Sequence, residues 1–251
     1  MVNITKTTLA LILLAASLVS SGARAEAPDT SNGEWPYYTG DIKGSRYSPL
    51  DQINADNFED LELAWSFSTK NLGTRSEYKL EVTPIMIDGV LYATAGTRRT
   101  AIALDGKTGE LMWLHSMREG LRGGMAPRQL SGRGLSYWSD GIGDDRIFYV
   151  TTGYKLVALN AHTGVPINSF GTDGNGILDL KVGAVQGNEV QIDLVTGEIG
   201  LHATPTVVGD MIIIGSAMKE GMTIDNYNNT KGLVRAFDVR TGKKIWQFDP
   251  I

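Results

Sequence analysis

Residue types able to do chemistry are few in this chain, and their spacing excludes more than it assigns. There is no Cys among the 251 residues, so disulfides, thiolate metal sites, covalently attached haem and a thiol nucleophile are excluded. The histidines His115, His162 and His202 show no metal-ligand spacing, and a zinc site built from all three is not expected. Asp140-Gly-Ile-Gly-Asp-Asp145 and Thr172-Asp-Gly-Asn-Gly176 carry hard oxygen donors. Neither completes a calcium loop with a terminal Glu, so both read as turns. Arg98-Arg99 and Lys243-Lys244 read as solvated hairpin ends, and Asn228-Asn-Thr230 is a glycosylation sequon by pattern only. A net charge of −5 leaves no electrostatic footprint for nucleic acid.

The elements that must position such scattered groups follow from composition and repetition. With 42% hydrophobic and 20% charged residues, the chain reads as soluble and globular; wholesale disorder, a coiled coil and a polytopic membrane protein are excluded. Glycine stands out at 30 residues against only 8 prolines, where the usual glycine share is about 7%. With no low-complexity tract, those glycines read as turns between many short strands. Lys6, the apolar run Leu9 to Val19 and Ala23-Arg24-Ala25 compose a secretory signal peptide over residues 1–25. The run is short for an uncleaved membrane anchor, which needs about 20 apolar residues. No lipobox Cys follows it. The expectation is an exported, periplasmic chain with one domain over 26–251 and no transmembrane span after cleavage.

Three segments of that domain repeat one pattern: Ala103-Leu-Asp-Gly-Lys-Thr-Gly109, Ala158-Leu-Asn-Ala-His-Thr-Gly164 and Ala236-Phe-Asp-Val-Arg-Thr-Gly242. In each, the Asp or Asn side chain can bond its own backbone two residues on, and Gly takes the positive φ that closes the turn. A strand ending in an aromatic is predicted after each turn, at Trp113, Phe170 and Trp246. Upstream, Val82-Thr-Pro-Ile-Met-Ile-Asp-Gly-Val-Leu-Tyr92 matches Ala203-Thr-Pro-Thr-Val-Val-Gly-Asp-Met-Ile-Ile213, with a rougher copy ending in Asp145-Arg-Ile-Phe-Tyr-Val150. Each unit therefore reads as four short strands, and such repetition marks an all-β, β-propeller fold with four-stranded antiparallel blades. An all-β sandwich is the alternative, but sandwiches do not repeat their turn chemistry. The Gly-rich stretch from Asn168 to Leu201 reads as a long functional loop. Leu61-Glu-Leu-Ala-Trp-Ser-Phe67 reads as one lone strand beside the three units. A propeller closes with about 4 to 8 blades, so the expectation is the N-terminal part of a longer one.

The repeat Ala-x-Asp-x-x-Thr-Gly-x-x-x-Trp resembles that of the pyrroloquinoline quinone (PQQ) dependent dehydrogenases of alcohols and glucose. The leading stretch Gly40-Asp-Ile-Lys-Gly-Ser-Arg-Tyr-Ser-Pro-Leu-Asp-Gln-Ile-Asn54 is similar to that family's, as are Glu81-Val-Thr-Pro-Ile85, Arg133-Gly-Leu-Ser-Tyr-Trp138 and Arg146-Ile-Phe-Tyr-Val150. The resemblance implies an eight-bladed propeller, of which this chain holds about three blades plus one strand. It also implies PQQ across the central channel and Ca²⁺ against it. Arg133 would grip a PQQ carboxylate with its planar fork, and Glu81 matches a cofactor-contacting acid. His202 and Thr204 fall on another contacting stretch, and Ser216 and Ala217 would line one side of the quinone. Glu220 matches a Ca²⁺ ligand, an oxygen donor of the kind this ion takes, although Lys219 beside it would compete.

Two departures qualify that match. The adjacent cysteines of the alcohol-oxidising branch would fall at Pro127-Arg128, so their ring is absent; Glu119 to Arg128 is closer to the sugar- and polyol-oxidising relatives. The family's catalytic Asp would lie beyond Ile251, and no acid here takes that role by motif. The implied function is a quinoprotein dehydrogenase. It would pass hydride from an alcohol, polyol or sugar to PQQ, with Ca²⁺ as Lewis acid and a quinone or cytochrome as acceptor. The alternatives are a non-enzymatic propeller scaffold of the outer-membrane assembly type, or an inactive truncated product.

Overall fold

The computed structural model describes residues 28–181, 185–186, 190–191, 199–218 and 232–250. Residues 1–27, which include the segment expected to be a signal peptide, together with Glu220 and the sequon, lie outside the described residues. Three four-stranded antiparallel meanders account for most of the structure. The first is β1 (Ile85–Ile87), β2 (Val90–Ala95), β3 (Thr100–Asp105) and β4 (Leu111–His115). A short helix α1 (Gly120–Gly124) precedes the second, β5 (Ser136–Ser139), β6 (Asp145–Val150), β7 (Lys155–Asn160) and β8 (Ile177–Asp179). Small pairs then form between β9 (Val185–Gln186) and β10 (Val190–Gln191), and between β11 (Ile199–Gly200) and a later β14 (Ala217–Met218). The third meander is β12 (Thr206–Val208), β13 (Met211–Ile214), β15 (Val234–Asp238) and β16 (Lys244–Phe248). Such meanders, packed side by side with β5 beside β12, are blades of a propeller.

The predicted turns close as their chemistry requires. Asp105 Oδ1 accepts from the backbone N–H groups of Lys107 (3.0 Å) and Thr108 (2.7 Å), and Gly109 N–H returns to Asp105 O at 2.8 Å. Asn160 and Asp238 repeat this arrangement with Thr163 and Thr241, and the closing glycines have φ between 68° and 74°. Each glycine also serves as a seat. Trp65 lies over Gly109, Trp113 over Gly164 and Phe170 over Gly242. The indole N–H of Trp65 donates to Gly106 O at 3.2 Å, and that of Trp113 to Ala161 O at 2.8 Å.

The two larger core clusters lie between blades, and a smaller one, Ala93, Ala95, Ile102 and Leu104 of the first blade, packs against Trp65, Phe67 and Leu72 of the leading chain. Tyr92 and Trp113 of the first blade pack with Ile147, Tyr149, Val157 and Leu159 of the second. Phe148, Leu156 and Phe170 of the second pack with Ile212, Ile214 and Phe237 of the third. At that second joint, buried Arg146 donates to Val239 O (3.1 Å) and Arg240 O (2.9 Å), and pairs with Asp144 at 2.6 Å. Trp138 is stacked by Arg240, and its indole N–H reaches Asp210 at 3.2 Å.

Some sequence expectations need correction. Leu61–Phe67 forms no strand ladder; it is extended chain held by Trp65. Phe170 does not end a strand: Pro166 makes a single bridge to Leu159, a turn follows, and β8 completes the sheet afterwards. The Asn168–Leu201 stretch is therefore partly a blade strand and not wholly a loop. Arg99 is not a solvated hairpin end; it is 2% exposed. On the inner edge, Trp35 N–H and O exchange hydrogen bonds with Met86, so the leading segment runs along β1.

Gly164 and Gly89 separate backbone strain from ring seating. Both have positive φ, but a Cβ at Gly164 would fall 2.6 Å from the Trp113 ring, while Gly89 has open space. Gly89→Ala should cost about 1–2 kcal/mol for left-handed backbone. Gly164→Ala should lose about 1–3 kcal/mol more through ring displacement. Urea denaturation of both variants checks this; equal losses would show that Trp113 is not seated on the turn.

Candidate functional site

The three segments that lead into the first strands of the blades, β1, β5 and β12, meet at one end of the stack. Thr83 N–H donates to Arg133 O at 3.1 Å, and Arg133 N–H donates to His202 O at 3.1 Å. This backbone relay brings residues from three blades into register. Gly134, at φ 131°, permits the approach: a Cβ there would lie 2.9 Å from Thr83 O. That is a physical reason for Gly in the Arg-Gly-Leu-Ser-Tyr-Trp block.

Side chains from these segments line a cleft of about 830 Å³. Glu81, Arg133, His202, Ser216 and Ala217 all border it, together with Arg75, Lys79 and Arg128. Among the described residues, four cationic side chains thus border the cleft together with one carboxylate. Glu81 Oε2 is 2.8 Å from His202 Nε2, and Glu81 Oε1 is 3.0 Å from Lys79 Nζ. The Lys79 and His202 contacts hold the Glu81 carboxyl below its ordinary pKa. Burial lowers the His202 pKa, and Arg99 and Arg133 act in the same direction against the opposing pull of Glu81. At neutral pH the ring is therefore neutral, and its Nε2–H donates to the carboxylate. Ser216 Oγ donates to Leu233 O at 3.2 Å. The preceding Gly215 O accepts from Tyr154 OH at 3.1 Å, and Tyr154 is held by buried Arg235.

Thr204 is not in this cleft. It faces a second one of about 460 Å³ on the other side of Arg133, lined by Tyr37, Tyr38, Leu135 and Ser136 among others. Its Oγ1 is buried and has no hydrogen-bond partner among the described residues. Arg133 borders both clefts and donates to Tyr38 OH at 3.4 Å.

Residues 35–251 match the family model for the β-propeller domain of PQQ glucose/ethanol/alcohol dehydrogenases. The chain belongs to this PQQ-propeller family. It is 31% identical to the quinoprotein glucose dehydrogenase of Escherichia coli (strain K12), over 91% of this chain and 28% of that protein. It is also 31% identical to the dehydrogenase subunit of the quinone alcohol dehydrogenase from Gluconacetobacter polyoxogenes, over 90% of this chain and 27% of that one. The crystal structure of the quinohemoprotein alcohol dehydrogenase from Comamonas testosteroni superposes with a TM-score of 0.66 at 25% identity, covering 88% of this chain and 28% of that chain. The chain thus spans under a third of the length of these relatives.

The group this PQQ-propeller family implies is a flat tricarboxylic quinone, and the donor set suits it. Arginine forks and an ammonium match carboxylates, and the one acid among the described lining residues, Glu81, is already partnered by Lys79 and His202. For a metal, no group of three or more His, Asp or Glu is gathered among the described residues. The residues that sequence reasoning missed are Arg75, Lys79 and Arg128, which sit in polar loops with no repeat signal. Glu77 was missed too; its carboxylate accepts from Ser131 N–H at 2.8 Å and Gly96 N–H at 3.0 Å.

Removing the Glu81 charge should lower the His202 pKa further, because that carboxylate alone opposes burial and the two arginines. An NMR pH titration of the imidazole resonances in Glu81→Gln reads this directly. An unchanged midpoint, or a higher one, would break the assigned pairing.

Proposed function

We propose that this chain forms the PQQ-binding side of a periplasmic quinoprotein dehydrogenase, as three consecutive blades of an eight-bladed propeller. The observation that supports this reading most is the backbone relay that presents Glu81, Arg133 and His202 together on a cation-rich cleft. When bound, PQQ supplies a quinone that accepts two electrons from an alcohol, polyol or sugar, for onward delivery to a quinone or cytochrome.

The chain's own residues bind and orient. Arg133 offers paired N–H donors to a carboxylate at the border of both clefts. Neutral His202 presents an edge already fixed by Glu81, so Glu81 acts by holding a ring as well as by its own charge. Ser216 and Ala217, small and at the start of the short pair with β11, leave room for a flat ligand against the backbone. Thr204 borders the smaller cleft with Arg133, and its hydroxyl, unpartnered among the described residues, is assigned as a hydrogen-bonding group for a ligand that reaches that side. Glu220 follows β14 by two positions in the sequence, and we assign it as an oxygen ligand for Ca²⁺. Both glucose- and alcohol-oxidising proteins are relatives at similar identity, so the substrate class stays at alcohols, polyols and sugars.

Titration of PQQ into the full chain in the presence of Ca²⁺, followed by quenching of tryptophan fluorescence, tests the reading. Wild type should bind. Arg133→Ala should weaken binding about tenfold or more, the effect of losing a hydrogen bond to a charged group. Absence of binding by the folded protein, or equal binding by Arg133→Ala, would refute the proposal.

A further inference from the structure

Arg99 connects β2 to β3 with φ 52°, a backbone conformation uncommon outside glycine. Its guanidinium is buried, and its donors are directed at carbonyl oxygens from separate parts of the chain. Nε–H donates to Leu130 O at 3.2 Å, Nη2 to Arg128 O at 2.8 Å, and Nη1 to Val150 O at 3.0 Å and to Leu201 O. Arg128, Leu130 and Leu201 themselves border the large cleft. Leu201 immediately precedes His202, and Leu130 is held at φ 69°, where a branched side chain is strained. One side chain from the first blade thus ties down the loop that carries Arg128, the end of β6, and the segment that carries His202.

We infer that Arg99 is a positioning residue of the cofactor cleft, fixing the Arg128–Leu130 loop and His202 relative to one another from beneath. The ligand part of this inference rests on the PQQ reading above; the geometric part does not. An apolar side chain of similar length would fill the space but leave several buried carbonyls without donors. Lysine would keep the charge but could not present a planar fork to acceptors lying in different directions. Arg146 serves as a control: it too is buried and bonded to carbonyls across a blade joint, though also paired with Asp144, and it borders neither cleft.

The test compares Arg99→Met and Arg146→Met in the full chain by two readouts, PQQ affinity and the NMR titration of His202. Arg99→Met should weaken PQQ binding about tenfold, a loss typical of a displaced charged contact. It should also raise the His202 pKa, because a like charge is removed while Glu81 still favours and Arg133 still opposes the imidazolium. Arg146→Met should lower the denaturation midpoint and leave both readouts at wild-type values. Equal behaviour of the two variants overturns the inference. If Arg99→Met does not fold, Arg99→Lys replaces it, with weakened affinity expected and wild-type affinity contradicting the role. If wild type itself binds no PQQ, the functional reading fails alone. Arg99→Lys, which keeps the charge but not the fork, then decides the positioning role: shifted backbone amide resonances at Leu130 and His202 are expected, and wild-type resonances there overturn it.

Discussion

An aromatic ring laid over a left-handed glycine joins each blade to the next, and the rest of the structure depends on that joint. A four-stranded sheet buries little within itself; its apolar faces are covered only when another blade packs against them. The ring sets how closely and at what angle that packing occurs. Trp113 reaches across to Gly164, and the buried layer of Tyr92, Ile147, Tyr149 and Leu159 forms around it. The turn that supplies the glycine is closed by its own Asp or Asn, so the seat's shape is set by local hydrogen bonds and not by the ring.

The cleft is a product of that stacking. No single blade contains it. Glu81, Arg133 and His202 stand on three different segments, and their spacing is set by two backbone hydrogen bonds that form only when the blades are in register. Electrostatics then refines the arrangement: a neutral imidazole anchored by a carboxylate sits among arginines and a lysine, suited to an anionic, planar ligand.

Local features were legible in the sequence, and features needing a partner from far along the chain were not. Asp105, Thr108 and Gly109 form their turn from neighbouring atoms, so their spacing announces it. The strand led by Pro84, the hairpin Asp88-Gly89 and the second copy at Pro205 are equally local. Leu61–Phe67 looks like a strand by composition, but a strand requires a ladder partner, and Trp65 is instead held by the turn at Gly106. Of the seven site residues expected, five border the large cleft, Thr204 faces the smaller one, and Glu220 lies outside the described residues. Arg99 was read as solvent-facing because two adjacent arginines after a strand usually are. Its acceptors at Leu130, Val150 and Leu201 are remote in sequence, and nothing local distinguishes it from Arg98.

The three ring seats differ in one respect. Phe170, over Gly242, has no N–H. In the first two turns the indole donates to the carbonyl of the residue that follows the turn's Asp or Asn, Gly106 and Ala161. In the third turn that carbonyl belongs to Val239, and it accepts from Arg146. The repeating unit therefore preserves an acceptor and not a donor. A blade can exchange its indole for a phenyl ring where a strand of the same blade delivers an N–H to the same oxygen. Family resemblance among such repeats is better traced through the oxygen that must be satisfied than through the aromatic that usually satisfies it.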